Sequence, residues 1–410
     1  MANKKILEYA KNEKCGKQLW FGTHPQFDMD VADIESCTNY RLPPKFHGMY
    51  DTVWLFEKSL DKYHILSWKI ILDEATRTLK RKGILIVKIH QCQSITIPMI
   101  KHFLGRNINL NVSVDYEYQE KKYHIIVFNI ERLNFEIYQN KNWTFAMLTN
   151  GTKDDIVIKF LESIRKNEPQ KSQIIISGPP KEIYDKYDVE YLDLSKYRDS
   201  EYAEISRKKN DIAKMATGAN ILIAHDRYYL NDKFFTDMDN FGYDFDFLAL
   251  CQTTENNKDL PYYCATYEPS YIYGQPIDCR NFNILPNTCY VNGGCMVFKT
   301  KTLQCVKFNN LLFWNQMEDV EITQEFINKS IVPRVNIISH IIAVDDNSEK
   351  MALNYKFDVI KENRIIFNPQ RQKDARKHLY GIGKLPIRIK FYLKNKFPFI
   401  GFQIRIHMIK

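Results

Sequence analysis

Two acidic positions carry most of the chemistry that this sequence can offer. Ile221-Leu222-Ile223-Ala224 is a short apolar strand that delivers His225-Asp226-Arg227 at its end. A carboxylate at the carboxyl end of a strand faces the crevice in which open α/β sheets bind nucleotides. The plainer alternative for Asp226 is an aspartate that caps a loop. The second position is Asp319, within Trp314-Asn315-Gln316-Met317-Glu318-Asp319-Val320-Glu321-Ile322. An acid in the first turn of a helix sits in the positive field of the helix N-terminus, which keeps it ionised and able to accept a proton. Acids also simply enrich first turns, so that reading stays open here. Tyr290-Val291-Asn292-Gly293-Gly294-Cys295 lies between them in sequence, and its adjacent glycines permit close approach of backbone to a ligand. Val335-Asn336-Ile337-Ile338-Ser339 ends in His340, which suits a metal ligand or a structural side chain.

These groups need a sheet to carry them. Trp143 to Asn150 reads as a strand, and Asp154 to Arg165 as a helix with Ile156, Phe160, Leu161 and Ile164 on one stripe. Gln173-Ile174-Ile175-Ile176-Ser177-Gly178 reads as the next strand. Strand, helix and strand of these lengths predict a right-handed parallel crossover. A further helix from about Ser206 to Thr217, stopped by Gly218, leads into the strand before Asp226.

Taken as a whole, the stretch from Ser206 to Arg227, with Lys209-Asn210 near its start and Ala224-His225-Asp226 at its end, resembles family 2 glycosyltransferases of the GT-A kind. The resemblance runs from about Trp143 to His340. It implies that Lys209 and Asn210 support a nucleotide-sugar donor, that Thr149 and Asn150 end the first strand beside it, and that Asp226 is the last acid of a D-x-D motif. It also implies a divalent cation, Mn²⁺ or Mg²⁺. Negative charge grows on the departing diphosphate, and a hard cation held by carboxylate oxygen stabilises it. By the same resemblance Gly293 and Gly294 approach the donor sugar, and Asp319 is the general base for the acceptor hydroxyl. Glu318 would orient that base or contact the acceptor, and His340 would be a further metal ligand. The family's first aspartate is replaced by Ala224 or His225, depending on register. His225 would then be a nitrogen ligand or a donor contact, and Arg227 and Lys209 would share the phosphate charge. The implied reaction moves a sugar to a hydroxyl of a glycan or lipid-linked glycan acceptor, with inversion, in surface polysaccharide or glycolipid synthesis.

Upstream, Tyr50-Asp51-Thr52-Val53-Trp54-Leu55 reads as a strand and Leu66 to Lys80 as a helix ended by Gly83. Ile84 to Ile89 reads as a covered parallel strand, and Leu110–Tyr118 with Tyr123–Ile130 as a hairpin. This order resembles the second half of a class I methyltransferase fold. The glycine-rich loop that such enzymes use for S-adenosylmethionine is missing, since Leu19-Trp20-Phe21-Gly22-Thr23 offers one glycine. The resemblance therefore implies a degenerate, non-catalytic unit. Glu131 to Lys141 is polar enough for a linker. The expected fold class is α/β: a GT-A-type nucleotide-sugar-binding domain over 142–350, preceded by a Rossmann-like, methyltransferase-like domain over 1–135 and followed by a basic extension over 351–410.

Composition narrows the rest. At 410 residues, with 44% hydrophobic and 26% charged residues, the chain fits two or three packed domains and neither a membrane-embedded nor a disordered protein. The net charge of +9 resides in residues 375–410, whose nine Lys and Arg side chains meet no acid, so residues 1–374 are formally neutral. Nucleic acid is thus not an expected partner of the body. The tail interleaves cations with Ile, Leu, Phe and Tyr, which suits docking on an anionic membrane face. A solvated arm, a strand pair covering the core and RNA contact are its alternatives. No apolar run follows Met1-Ala2-Asn3-Lys4-Lys5 and no spanning segment is visible. The nine cysteines lack any C-x-x-C pair, so the expected setting is cytoplasmic, with the tail at the inner membrane face. Two other functions compete: a working S-adenosylmethionine-dependent methyltransferase acting on a glycan, and a non-catalytic glycan-binding scaffold.

Overall fold

Apolar runs too short for a buried helix become strands throughout this chain. The computed structural model describes residues 6, 8, 9, 15–198, 203–260, 265–267, 274–278, 289–314, 316–344, 358–361 and 364–366. The basic tail over 375–410, and with it the membrane expectation, lies outside the described residues. No helix among the described residues is long and apolar enough to cross a membrane.

The first sheet contains β1 (Gln18–Phe21), β2 (Asp30–Ala32), β3 (Tyr50–Leu55), β4 (Leu79–Ile89), β5 (Leu110–Glu120) and β6 (Tyr123–Arg132), in the order β2-β1-β3-β4-β6-β5. The first four run parallel, and β6 returns antiparallel between β4 and its hairpin partner β5. Helix α1 (Trp68–Thr78) joins β3 to β4, and α2 (Ile97–Arg106) joins β4 to β5. Residues 22–29 connect β1 to β2 without a helix. The helix expected over Leu66–Lys80 stops earlier, at Thr78. Leu79 is extended (φ −69°, ψ 144°), and Lys82 and Gly83 already pair with Glu131 and Ile130. Ladder pairing with β6 thus overrides the helical spacing of this segment.

The second sheet carries the site. Its strands are β7 (Trp143–Leu148), β8 (Gln173–Ser177), β9 (Glu190–Tyr191), β10 (Asn220–His225), β11 (Tyr228–Leu230), β12 (Phe247–Thr254), β13 (Asp259–Leu260), β17 (Cys295–Lys299) and β18 (Arg334–Ala343). Strands β14 (Ala265–Tyr267), β15 (Gly274–Asp278), β16 (Cys289–Tyr290), β19 (Asp358–Lys361) and β20 (Arg364–Ile366) form a third sheet. The order in the second sheet is β11-β18-β12-β17-β10-β7-β8-β9, with β13 beside β12. The β9, β8, β7 and β10 strands are parallel, whereas β17 runs antiparallel to β10 and β12. Both faces are covered, so the strand centres read as apolar runs, as in Ile174–Ile176, Ile221–Ala224 and Phe247–Cys251. Trp143, Phe145 and Met147 pack with Val157, Phe160 and Ile164 of α3 (Asp154–Asn167) and with α5 (Phe234–Phe241). Ala146 and Leu148 point the other way, toward α4 (Ile205–Met215) and α7 (Glu318–Asn328). A short α6 (Thr300–Val306) follows β17.

The segment expected to be a linker buries two of its side chains, Arg132 and Tyr138, at the seam between the first two sheets. One apolar cluster contains Leu85, Phe128 and Ile130 of the first sheet together with Ala146, Ile223, Phe298 and Phe326. Charges seal the seam. Arg77 of α1 grips Asp73 (2.9 Å), Asp244 (3.0 Å) and Asp246 (3.0 Å), and Arg132 reaches Asp244 at 2.6 Å. Tyr138 donates its hydroxyl to Asp246 at 2.8 Å. Arg334 of β18 reaches back to Glu74 at 3.0 Å. Burial alone would raise the Asp244 carboxyl, but Arg132 and Arg77 outweigh it and hold the group at about 2. Arg132 and Tyr138 are buried because these acids need partners, which is why 131–141 does not run free.

Candidate active site

Strands β7 and β10 lie side by side and end together, with Leu148 opposite His225. Just past that edge the Asp226 amide donates to the Leu148 carbonyl at 3.1 Å. The Asp226 carboxylate accepts the Thr149 hydroxyl at 2.8 Å, and Lys153 stands 3.9 Å from it. Asn150 takes no part in that contact. Its side chain accepts the Thr152 amide (3.0 Å) and hydroxyl (2.6 Å), an Asx turn that shapes the loop into α3.

The far side of β10 is joined to the two glycines. The His225 amide donates to the Gly294 carbonyl at 2.9 Å, and β17 begins beside Ala224. Buried His225 Nε2 has no hydrogen-bond partner. Burial first, then Lys209, Arg227 and Lys153, push the imidazole well below its ordinary range, so it is neutral at pH 7. A Cβ on Gly294 would lie 2.6 Å from Arg227 Nη2 and 2.8 Å from the Tyr228 hydroxyl. Only glycine leaves room there.

Gly293 faces the other way, onto the acidic pair. Its amide donates to Asp319 Oδ2 at 2.9 Å, and a Cβ there would lie 2.8 Å from the Asp319 Cβ. The pair is launched by Met317, the residue before α7, whose backbone is left-handed (φ 64°), a costly conformation for a side chain of that size. Asp319 Oδ1 accepts the Val320 amide at 2.9 Å. Burial and the neighbouring Glu318 raise the Asp319 carboxyl, and the Gly293 amide and Lys209 oppose them without cancelling. Desolvation therefore beats the helix terminus that the sequence reading relied on. The outcome still suits a general base, whose ideal pKa lies nearer the working pH than a free aspartate's.

The step Gly293–Gly294 thus holds Asp319 through the Gly293 amide and His225, the neighbour of Asp226, through the Gly294 carbonyl. Lys209, His225 and Arg227 lie against this step, and Thr149 is held at Asp226. Glu318 also faces Gly293, and its carboxylate pairs with Lys209 at 3.1 Å. Other residues fall elsewhere. Asn210 sits mid-helix and clamps the segment after α6: its amide donates to the Phe308 carbonyl, and its oxygen accepts the Phe308 amide, both at 2.8 Å. His340 pairs with Cys251 across β12 and faces Asp237 of α5. Val344, whose amide bonds the Arg227 carbonyl, is four residues further along, or about 13 Å at strand spacing. Among the described residues no group of three or more His, Cys, Asp or Glu side chains could hold a metal ion. Asp226 supplies one carboxylate at this edge, bonded to Thr149 and faced by Lys153. A hard dication held by one carboxylate draws its remaining oxygens from substrate phosphates and water, so the described residues would supply one ligand of the expected cation.

Sequence reasoning missed Lys153, whose signal was only its place in the turn before α3. It also passed over Asp244-Phe245-Asp246, which has D-x-D spacing. Those two acids face Arg77, Arg132 and Tyr138 at the seam.

No protein-family model and no curated protein matches the sequence. Among solved structures, the chain is similar to S. aureus TarS 1-349 (14% identity, TM-score 0.32, covering 52% of this chain and 63% of that one). The same fragment in complex with UDP-GlcNAc matches with TM-score 0.33 and 14% identity over 53% of this chain and 62% of that one. GalNAc-T7 crystallised with UDP, GalNAc and Mn²⁺ matches with TM-score 0.40 and 10% identity, over 56% of this chain and 47% of that one. The chain spans less than two thirds of each of these structures. Likeness at this level decides neither substrate nor mechanism.

Proposed function

We propose that residues 142–350 form a GT-A-type glycosyltransferase unit that moves a sugar from a nucleotide-sugar donor to a hydroxyl of a glycan acceptor. The observation that supports this most is the double engagement of Gly293–Gly294, with the Asp226 flank on one side and the Asp319 carboxylate on the other. The donor's diphosphate lies over the β7 and β10 ends, where Lys153 and Arg227 meet its charge. The acceptor hydroxyl attacks the anomeric carbon from the Asp319 side. Asp319 takes its proton, the new glycosidic bond forms, and the nucleoside diphosphate departs with the bonding pair. Attack opposite the leaving group inverts the anomeric centre.

Residues 1–135 read best as a degenerate methyltransferase-like unit. Parallel strands followed by an inserted antiparallel hairpin favour that ancestry. The turn after β1, where a cofactor carboxylate would be cradled by amides, is filled from within. The Glu57 carboxylate accepts the Thr23 and His24 amides and the Trp20 indole, each at 2.8 Å. Burial would raise this carboxyl, but those donors hold it at about 2, permanently charged.

The test is turnover of UDP-glucose, UDP-N-acetylglucosamine and GDP-mannose by the full chain, followed as nucleoside diphosphate release. Release that is lost in Asp319→Asn while UDP still binds supports the reading. A full chain that neither binds UDP or GDP nor releases them from any donor sinks it.

A further inference from the structure

We propose that Lys209 is a positioning residue for the base and makes no contact with the donor. The inference rests on the transfer reading above and changes the role that the sequence resemblance implied for this side chain.

Lys209 is fully buried, at 0% exposure. An ammonium has three N–H donors. One goes to the Gly293 carbonyl (3.2 Å) and one to Glu318 Oε1 (3.1 Å), while the Phe308 ring lies 5.1 Å from the nitrogen. Two of the three donors are taken, and the third lies in a head that is 0% exposed and walled by the Phe308 ring, so it is closed to a diphosphate. What it joins is informative. Gly293 gives its amide to Asp319 and its carbonyl to Lys209, so one residue of backbone links base and ammonium. Glu318, the residue before the base, is itself buried and has Lys209 as its cation. Lys209 therefore fixes both groups that flank Asp319, and the charge it brings opposes that of Glu318.

The groups facing Asp319 are Glu318 of the same helix, Lys209 of α4, and the Gly293 and Val320 amides. Removing a nearby opposite charge disfavours ionisation, and removing a like charge favours it. The two substitutions must therefore move the base in opposite directions.

The experiment measures UDP affinity by calorimetry and the pH profile of donor turnover for the full chain, using whichever donor of the panel above it cleaves. Lys209→Met is expected to leave UDP affinity within about threefold. It should lower kcat by roughly tenfold or more and move the acidic limb upward by about one pH unit, within the usual reach of a neighbouring charge. Lys209→Arg should recover part of kcat. Glu318→Gln should move the same limb downward, and it stands as the second test if Lys209→Met does not fold. An acidic limb unmoved in both variants overturns the proposal, as does a Lys209→Met protein that loses UDP affinity while keeping its pH profile. A wild-type chain that cleaves none of the donors overturns the transfer reading and this inference together; weakened UDP binding alone overturns only the inference.

Discussion

Gly293 gives its amide to Asp319 at 2.9 Å, while the carbonyl of the next residue, Gly294, accepts the His225 amide at the same distance. The end of β10 and the start of α7 are thus tied through two residues without side chains. Small changes here should separate binding from chemistry.

Asp319→Asn keeps the shape and the Gly293 contact but cannot accept a proton. Turnover should fall by about 100- to 10,000-fold, the usual worth of a positioned base, with UDP affinity unchanged in calorimetry.

The same variant should be more stable than the wild type at neutral pH. The folded Asp319 carboxyl is raised above its unfolded value of about 3.9, so the folded state binds this proton more tightly. Stability contributed by the proton is present below that value and is lost as pH climbs through the folded one. Thermal midpoints of wild type and Asp319→Asn should therefore converge toward pH 3 and separate at pH 7, with the variant higher. Equal midpoints at pH 7 would contradict the raised carboxyl.

Gly294→Ala puts a methyl group 2.6 Å from the Arg227 guanidinium, the far end of a flexible side chain. The fold should survive and Arg227 should move. UDP affinity is expected to drop roughly tenfold, about 1.4 kcal/mol, with a near-native melting midpoint. Lys153→Ala should weaken the same binding more modestly, since Lys153 is 43% exposed and solvent screens it.

The cradle after β1 leads to a negative result. Titrating the full chain with S-adenosylmethionine should give no binding heat, because the Thr23 and His24 amides are already spent on Glu57. Saturable binding would revive the methyltransferase alternative.

Much of the framework was legible because strands covered on both faces are predominantly apolar, as Trp143–Leu148 is apart from Thr144 and Tyr50–Leu55 apart from Asp51 and Thr52. Asp226 and Asp319 could be found because each terminates or opens such an element. Asn210 and His340 could not be judged that way. A residue's type and spacing do not say which side of its helix or strand looks into the crevice, and theirs look at Phe308 and Asp237. The seam was invisible for a different reason. Arg77 and Asp244 are 167 residues apart, and no local pattern links a lone helical arginine to an acid that far downstream.

That seam can be broken from either side. Arg77→Met would leave buried Asp246 without its ion-pair partner and Asp73 and Asp244 with one guanidinium each, and should cost on the order of 3–5 kcal/mol of stability, read as a large fall in the denaturation midpoint.

A chain trimmed to start at Asn142 would lack both guanidinium groups that neutralise Asp244 and Asp246. It would carry two naked acids into a face built to be dry. For the downstream half, the front half serves as a counter-charge. To liberate the downstream half, a protein engineer would have to begin by replacing those two acids, not by choosing a cleavage point.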